Sequence, residues 1–282
     1  MKRSNRCTMI EDVILEHDRR GMNKLKEYLP SDFCKRAAHF LRENMEEVLI
    51  VTGFYVGGFC ETDGPVSAII MEKALTSLGS KVDIVTDRYC YEVLTRLKIP
   101  DVHCFPITGE KESLEFAENV ISVTDPSIIV SVERCGRAKD GKYYNMSGED
   151  ISEYTGKVDF LFDFPKTIGI GDGGNEIGMG NLYEHVKRVV LHGEKIASVV
   201  ETTFLVISSV SNWGIYGLLA YLSGIEGKML LDREDRILEN VVKAGAIDSA
   251  SRKTKLMVDG FSLEVTNRII EELKGEVGYS LD

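Results

Sequence analysis

Short apolar runs that end in polar clusters alternate along this chain with longer stretches whose apolar positions recur every three or four residues. Val48-Leu49-Ile50-Val51 is a continuous apolar run closed by Gly53, the pattern of a strand buried on both faces. Residues 82–85, 102–105, 127–132, 167–170 and 203–210 read as further strands. Between them, Gly64-Pro65 opens a predicted helix running to Leu78, with Ala68, Ile69, Met71, Ala74, Leu75 and Leu78 as its inner face. Residues 89–97 and 114–123 read as helices and 151–162 as partly helical; further helices are expected near 213–222, 233–244 and 262–274. Ahead of the first strand, residues 8–45 read as helical, with Phe33, Ala37, Ala38, Phe40 and Leu41 on one stripe after a Pro30-Ser31 start signal. Repeated strand-then-helix order predicts an α/β fold in three layers: a mostly parallel sheet, right-handed crossovers and helices on both faces. We expect a single domain over residues 1–282, with a helical N-terminal extension to residue 45 and the main unit from 46.

Parallel sheets of this kind bind ligands at the carboxyl ends of their strands. The polar clusters sit there. Residues 53–65, with Glu61 and Asp63, follow the first strand, and Asp87 follows the second. Residues 133–145 follow the strand at 127–132, and residues 208–213 follow the strand at 203–207. The densest cluster follows 167–170, where six glycines fall between Gly169 and Gly180 around Asp172, Asn175 and Glu176. Such a density belongs where backbone turns tightly or approaches a ligand, and its interleaving with Ile and Met is unlike a Gly/Ser linker. Gly169, Gly171 and Gly174 match a dinucleotide fingerprint in register. However, Asp172 and Glu176 would set negative charge beside a pyrophosphate, and Gly178 and Gly180 weaken any following helix. Carboxylates in this loop suit a cation instead: a substrate ammonium, or a hard divalent metal such as Mg²⁺ or Mn²⁺ bound through Asp172 and Glu176. The plainer alternative is that Asp172 and Asn175 cap turns.

Arg134 and Arg137 lie close together after a buried strand and suit bidentate carboxylate contacts; a solvated charged hairpin at Asp140-Gly141 is the alternative. Asp63 or Thr62 also reads as a helix cap before Pro65. Charge narrows the partners. With 34 basic and 45 acidic residues the net charge is -11, which argues against nucleic acid and anionic membranes. Six cysteines, Cys7 among them, show no C-x-x-C spacing, and the Met1-Lys2-Arg3 start leads into no apolar leader. No run approaches the length of a membrane span. A cytoplasmic protein is expected, with a homo-oligomer left open.

Several segments resemble the D-glutamate cyclase family: Thr52-Gly53-Phe54, residues 61–65, Val85-Thr86-Asp87, Glu133-Arg134 with Gly136-Arg137-Ala138, and residues 140–146. Residues 169–181, 211–217 (with Asn212) and 245–248 continue the likeness, which spans roughly 48–265 and leaves 1–45 outside. The resemblance implies dehydration of D-glutamate to 5-oxo-D-proline, a lyase reaction. Its chemistry requires a neutral amine and an activated γ-carboxyl. Arg134 and Arg137 are therefore expected on the substrate carboxylates, and Asp172 and Glu176 on the ammonium or a metal ion. Glu61, Asp63, Glu133, Asp140, Asn145, Gly173, Gly174, Asn175 and Asn212 are expected to line the substrate site. Two other functions fit the same residues: a nucleotide-binding enzyme or sensor using the Gly169 loop, and a non-catalytic amino-acid-binding protein.

Overall fold

The computed structural model describes residues 9–280, so Cys7 and the first eight residues lie outside it. The chain begins with α1 (Ile10–Val13), α2 (Met22–Leu25) and α3 (Phe33–Asn44), then enters the first sheet strand, β1 (Glu47–Thr52). A two-stranded hairpin, β2 (Tyr55–Val56) and β3 (Phe59–Cys60), precedes α4 (Pro65–Thr76), β4 (Lys81–Asp87), α5 (Arg88–Arg96), β5 (Val102–Phe105) and α6 (Glu110–Thr124). Next come β6 (Ile128–Val132), two 3₁₀ turns (Ser152–Tyr154 and Val158–Asp163), β7 (Thr167–Gly171), α7 (Tyr183–Val189), α8 (Gly193–Ile196) and β8 (Phe204–Ile207). The chain closes with α9 (Ser211–Glu226), α10 (Asp235–Lys243), a second small hairpin of β9 (Met257–Val258) and β10 (Phe261–Ser262), and α11 (Leu263–Ser280).

Six strands form one sheet in the order β5-β4-β1-β6-β7-β8, with every pairing parallel. Period-two alternation splits its apolar residues between two layers. Val48 and Ile50 join one core with α1, α3, α4, α9 and α11; Leu49 and Val51 join another with Phe105, Ala117, Val120 and Leu161. The three-layer α/β expectation holds. From β1 the chain runs outward to β4 and β5, then returns to build β6, β7 and β8 on the other side. The winding therefore reverses between β1 and β6, and the crevice beyond their carboxyl ends is where such sheets hold ligands.

Residues 10–41 are built into this core: Ile10, Val13, Ile14, Leu15, Met22 and Leu25 are all buried. Gly217 of α9 admits them. A Cβ there would stand 2.8 Å from Ile14 and 3.2 Å from Ile10. The expected strand at 203–210 is shorter, because Ser208–Val210 already turn toward α9. Helices α7 and α8 and both small hairpins are too short to carry a periodic signal.

Candidate active site

Two long helices begin at the crevice and cap one another. Asp63, in the connection after β1, accepts the backbone N–H of Asn212 (2.8 Å) and Gly64 (3.0 Å) on Oδ1 and of Ser211 (3.0 Å) on Oδ2. In return Asn212 Oδ1 accepts the N–H of Gly64 (2.9 Å) and Ser67 (3.3 Å), which opens α4. The exchange satisfies helix-terminal amides and places a carboxylate at the positive end of α9. Asn212 is thus a cap and not a cavity residue.

Three carboxylates from three connections converge at this point. Asp63 follows β1, Glu133 follows β6, and Asp172 follows β7; one oxygen of each lies within 4.8 Å of the others. Glu133 sits at φ 45°, a conformation rare for a residue with a side chain, and its Oε2 accepts the Ser211 hydroxyl at 2.5 Å. Asp172 Oδ1 accepts Arg20 Nη1, while Oδ2, fully buried, has no hydrogen-bond partner among the described residues. Arg20 Nη2 also reaches Asp259 Oδ1 at 2.6 Å. Glu61 completes the group.

Burial with one guanidinium among so many carboxylates raises their proton affinity. Burial pushes Asp172 up to about 6, against the opposing pull of Arg20. Asp259 is likewise pushed up to about 6, first by burial and then by Asp172. Glu61, Asp63 and Glu133 are driven well above the usual carboxylate range, first by burial and then by neighbouring carboxylates, Asp172 among them in each case. Asp172 and Asp259, the two held near 6, can exchange protons close to neutral pH.

A cavity of about 680 Å³ opens onto the cluster, within the size range of small-molecule sites. Its wall includes Arg20, Glu61, Asp63, Glu133 and Asp259, with Asn145, Met146 and Asn175 on another side and Arg252 among its lining residues. Asn175 Nδ2 donates to the Tyr144 carbonyl at 2.8 Å, and its buried Oδ1 has no donor among the described residues. Asn145 accepts the N–H of Ser147 and of Glu149, each at 3.0 Å. A second cavity, of about 590 Å³ between α4 and residues 229–237, contains none of these carboxylates.

The structure moves several expected site residues elsewhere. Arg134 is buried under the sheet edge, donating to Gly53 O (2.6 Å), Asp87 Oδ2 (2.7 Å) and Gly156 O (2.7 Å). Arg137 pairs with Asp159 (2.6 Å), which also accepts the Tyr143 hydroxyl (2.5 Å). Neither arginine lines the cavity, because each is held by its own carboxylate partner. Glu176 folds back into its own loop and accepts Gly174 N–H at 2.7 Å. Cβ atoms at Gly171 and Gly173 would stand 2.9 and 2.7 Å from its carboxylate oxygens, so the glycines make room for Glu176. The metal-competent set is Asp63, Glu133 and Asp172, which leaves out Glu176. Asp140 lies on the surface, accepting the Tyr144 hydroxyl at 2.6 Å. Gly173 and Gly174 shape the loop and are not among the residues lining the cavity. Beyond that loop comes a four-residue 3₁₀ turn, Met179–Leu182, which offers no long helix terminus to a pyrophosphate.

Arg20, Asp259 and Arg252 carry no sequence signal of this kind. Arg20 sits in a polar stretch between short helices, and Asp259-Gly260 reads as a hairpin turn. No helix among the described residues is long and apolar enough to cross a membrane.

The chain is 37% identical over 198 residues to the human protein named "D-glutamate cyclase, mitochondrial", an alignment that takes in 62% of this chain and 32% of that protein. The chain thus spans about a third of that relative's length. A solved exopolyphosphatase-related protein from Bacteroides fragilis aligns at a TM-score of 0.47 and 12% identity, over 89% of this chain and 60% of that one. The profile of the family described as D-glutamate cyclase-like, C-terminal, matches residues 10–274, so the likeness takes in the helical segment ahead of the sheet as well. With nearly its whole length matched, the chain belongs to the D-glutamate cyclase-like, C-terminal family.

Proposed function

We propose that this chain is a lyase that dehydrates D-glutamate to 5-oxo-D-proline. The observation that carries the reading is the cavity at the sheet's winding reversal, lined by the buried carboxylates Glu61, Asp63, Glu133 and Asp259, whose proton affinities burial raises, that of Asp259 to about 6. In the reaction the amine nitrogen bonds to the γ-carboxyl carbon and one C–O bond breaks. Two protons leave the nitrogen, and both end on the departing oxygen as water, so no outside acid, oxidant or phosphoryl donor is consumed.

Asp259, held near 6 beside the cavity, is placed to take an ammonium proton and return it to the leaving oxygen. Glu61 borders the same space. Asp63 and Glu133 line the same cavity and, clustered with Asp172, suit a positive charge. Arg252, at the exposed mouth, suits the α-carboxylate. Amine and carboxyl belong to one molecule, so orientation itself is a large source of rate: well-positioned intramolecular pairs reach effective molarities of about 10⁵–10⁸ M. Five free cysteines among the described residues suit a reducing, cytoplasmic setting.

The test is incubation of the purified protein with D-glutamate and, separately, L-glutamate, with chiral chromatography of the products. We expect 5-oxo-D-proline from the D-enantiomer. No product from either enantiomer, with or without Mg²⁺ and Mn²⁺, would retire the reading.

A further inference from the structure

We propose that Asp63, Glu133 and Asp172 form a site for one hard divalent cation, of the Mg²⁺ or Mn²⁺ class. The three residues project from the connections after β1, β6 and β7 and meet where the winding of the sheet reverses. One oxygen from each lies within 4.8 Å of the others. Opposite ligands of an octahedral Mg²⁺ stand about 4.2 Å apart, so small closing movements or a bridging water complete such a shell. Oxygen-only donors match hard cations and not zinc or copper.

A second observation points to a missing positive charge. Asp172 uses Oδ1 for Arg20, yet its Oδ2 is buried and without any donor among the described residues. Asn175, on the wall of the same cavity, also holds a buried Oδ1 without a donor. Buried acceptors in folded proteins nearly always have partners. An orphaned oxygen within the carboxylate trio, and a second on the wall of the cavity it borders, are what a bound cation and its water shell would satisfy.

Charge balance leads to the same conclusion. Glu61, Asp63, Glu133, Asp172 and Asp259 are buried around one half-buried guanidinium, Arg20, which pairs with two of them. The arginines that sequence assigns to substrate neutralisation, Arg134 and Arg137, are occupied by Asp87 and Asp159. With its carboxylates ionised the cavity is net negative, and a bound cation is what would let an anionic substrate such as glutamate enter without first protonating them. A divalent ion there neutralises the cluster and meets the γ-carboxylate, lowering the cost of adding an amine to an anion. That role in turnover rests on the cyclase reading; binding of the ion does not.

The experiment uses the full chain dialysed against EDTA and titrated with Mn²⁺ by calorimetry and by the loss of the free-ion electron paramagnetic resonance signal. One Mn²⁺ per chain, displaced by excess Mg²⁺, is the expected result. Glu133→Gln and Asp172→Asn should each weaken binding about tenfold or more with circular dichroism unchanged. Asp63 is avoided because it caps α9, and its loss would disturb the fold. Absence of stoichiometric binding, or binding indifferent to both substitutions, overturns the site. Product formation by metal-free protein would overturn the ion's role and leave the cyclase reading intact. One tightly bound Mn²⁺ without turnover of D-glutamate would do the reverse.

Discussion

Two regions beyond the carboxyl edge of the sheet bury arginine among carboxylates, and they differ in stoichiometry. Around Arg134 and Arg137 each guanidinium has a carboxylate of its own, Asp87 and Asp159, and spare N–H groups of Arg134 go to backbone carbonyls. Around Arg20 a single guanidinium contacts Asp172 and Asp259 while Glu61, Asp63 and Glu133 stand close by. The first region pairs each cation with its own anion and locks loops together. The second leaves a deficit of positive charge facing a cavity. Balanced pairs mark architecture in this protein, and the imbalance is where we propose that something else binds.

Breaking the balanced region should have the largest effect. Arg134→Met strands the buried Asp87 and frees the Gly53 and Gly156 carbonyls, and losing one partner of a buried pair costs about 3–5 kcal/mol. Urea titration should show a loss of that size; a loss below about 1 kcal/mol would mean that the pair is not structural.

Glu234 sharpens the comparison from outside both regions. It is fully buried without a cation, accepting the Tyr216 hydroxyl at 2.5 Å, and burial pushes it up to about 7 from an ordinary 4.5. A carboxyl with a raised folded value contributes stability that is complete below about 4.5 and is lost as pH rises through about 7. Between pH 5 and 8 the wild type should therefore lose on the order of 3 kcal/mol relative to Glu234→Gln. Parallel stability curves for the two proteins would contradict this assignment.

The smallest effect separates the arginines by role. Arg252→Ala at the cavity mouth should raise KM for D-glutamate about tenfold, or about 1.4 kcal/mol, with kcat little changed. Arg137→Ala, outside the cavity lining, should leave KM unchanged. The opposite pattern would return Arg137 to the substrate.

Sequence made the sheet legible because its strands are buried on both faces and read as unbroken apolar runs. It also placed the polar clusters at strand ends, so Glu61, Asp63, Glu133 and Asn175 were within reach. Charge partnership was not legible. Arg134 and Arg137 look free in sequence, but Asp87 and Asp159, 47 and 22 residues away, claim them only once the loops fold over the sheet edge. Arg20 meets Asp172 across 152 residues for the same reason. Glu176 reads in sequence as a ligand for an ammonium or metal ion, whereas the glycines around it leave room for it to turn into its own loop. Spacing along a chain reports local periodicity and turn chemistry, and a salt bridge between distant segments leaves neither.

The central claim is that the unbalanced carboxylates at the winding reversal perform the chemistry. Its most direct measurement is the rate of 5-oxo-D-proline formation from D-glutamate by wild type and by Asp172→Asn, each shown by circular dichroism to be folded. The account predicts turnover by the wild type and at least about a hundredfold less by the variant, a loss of about 2.7 kcal/mol in transition-state stabilisation. Equal rates in the two proteins would contradict it.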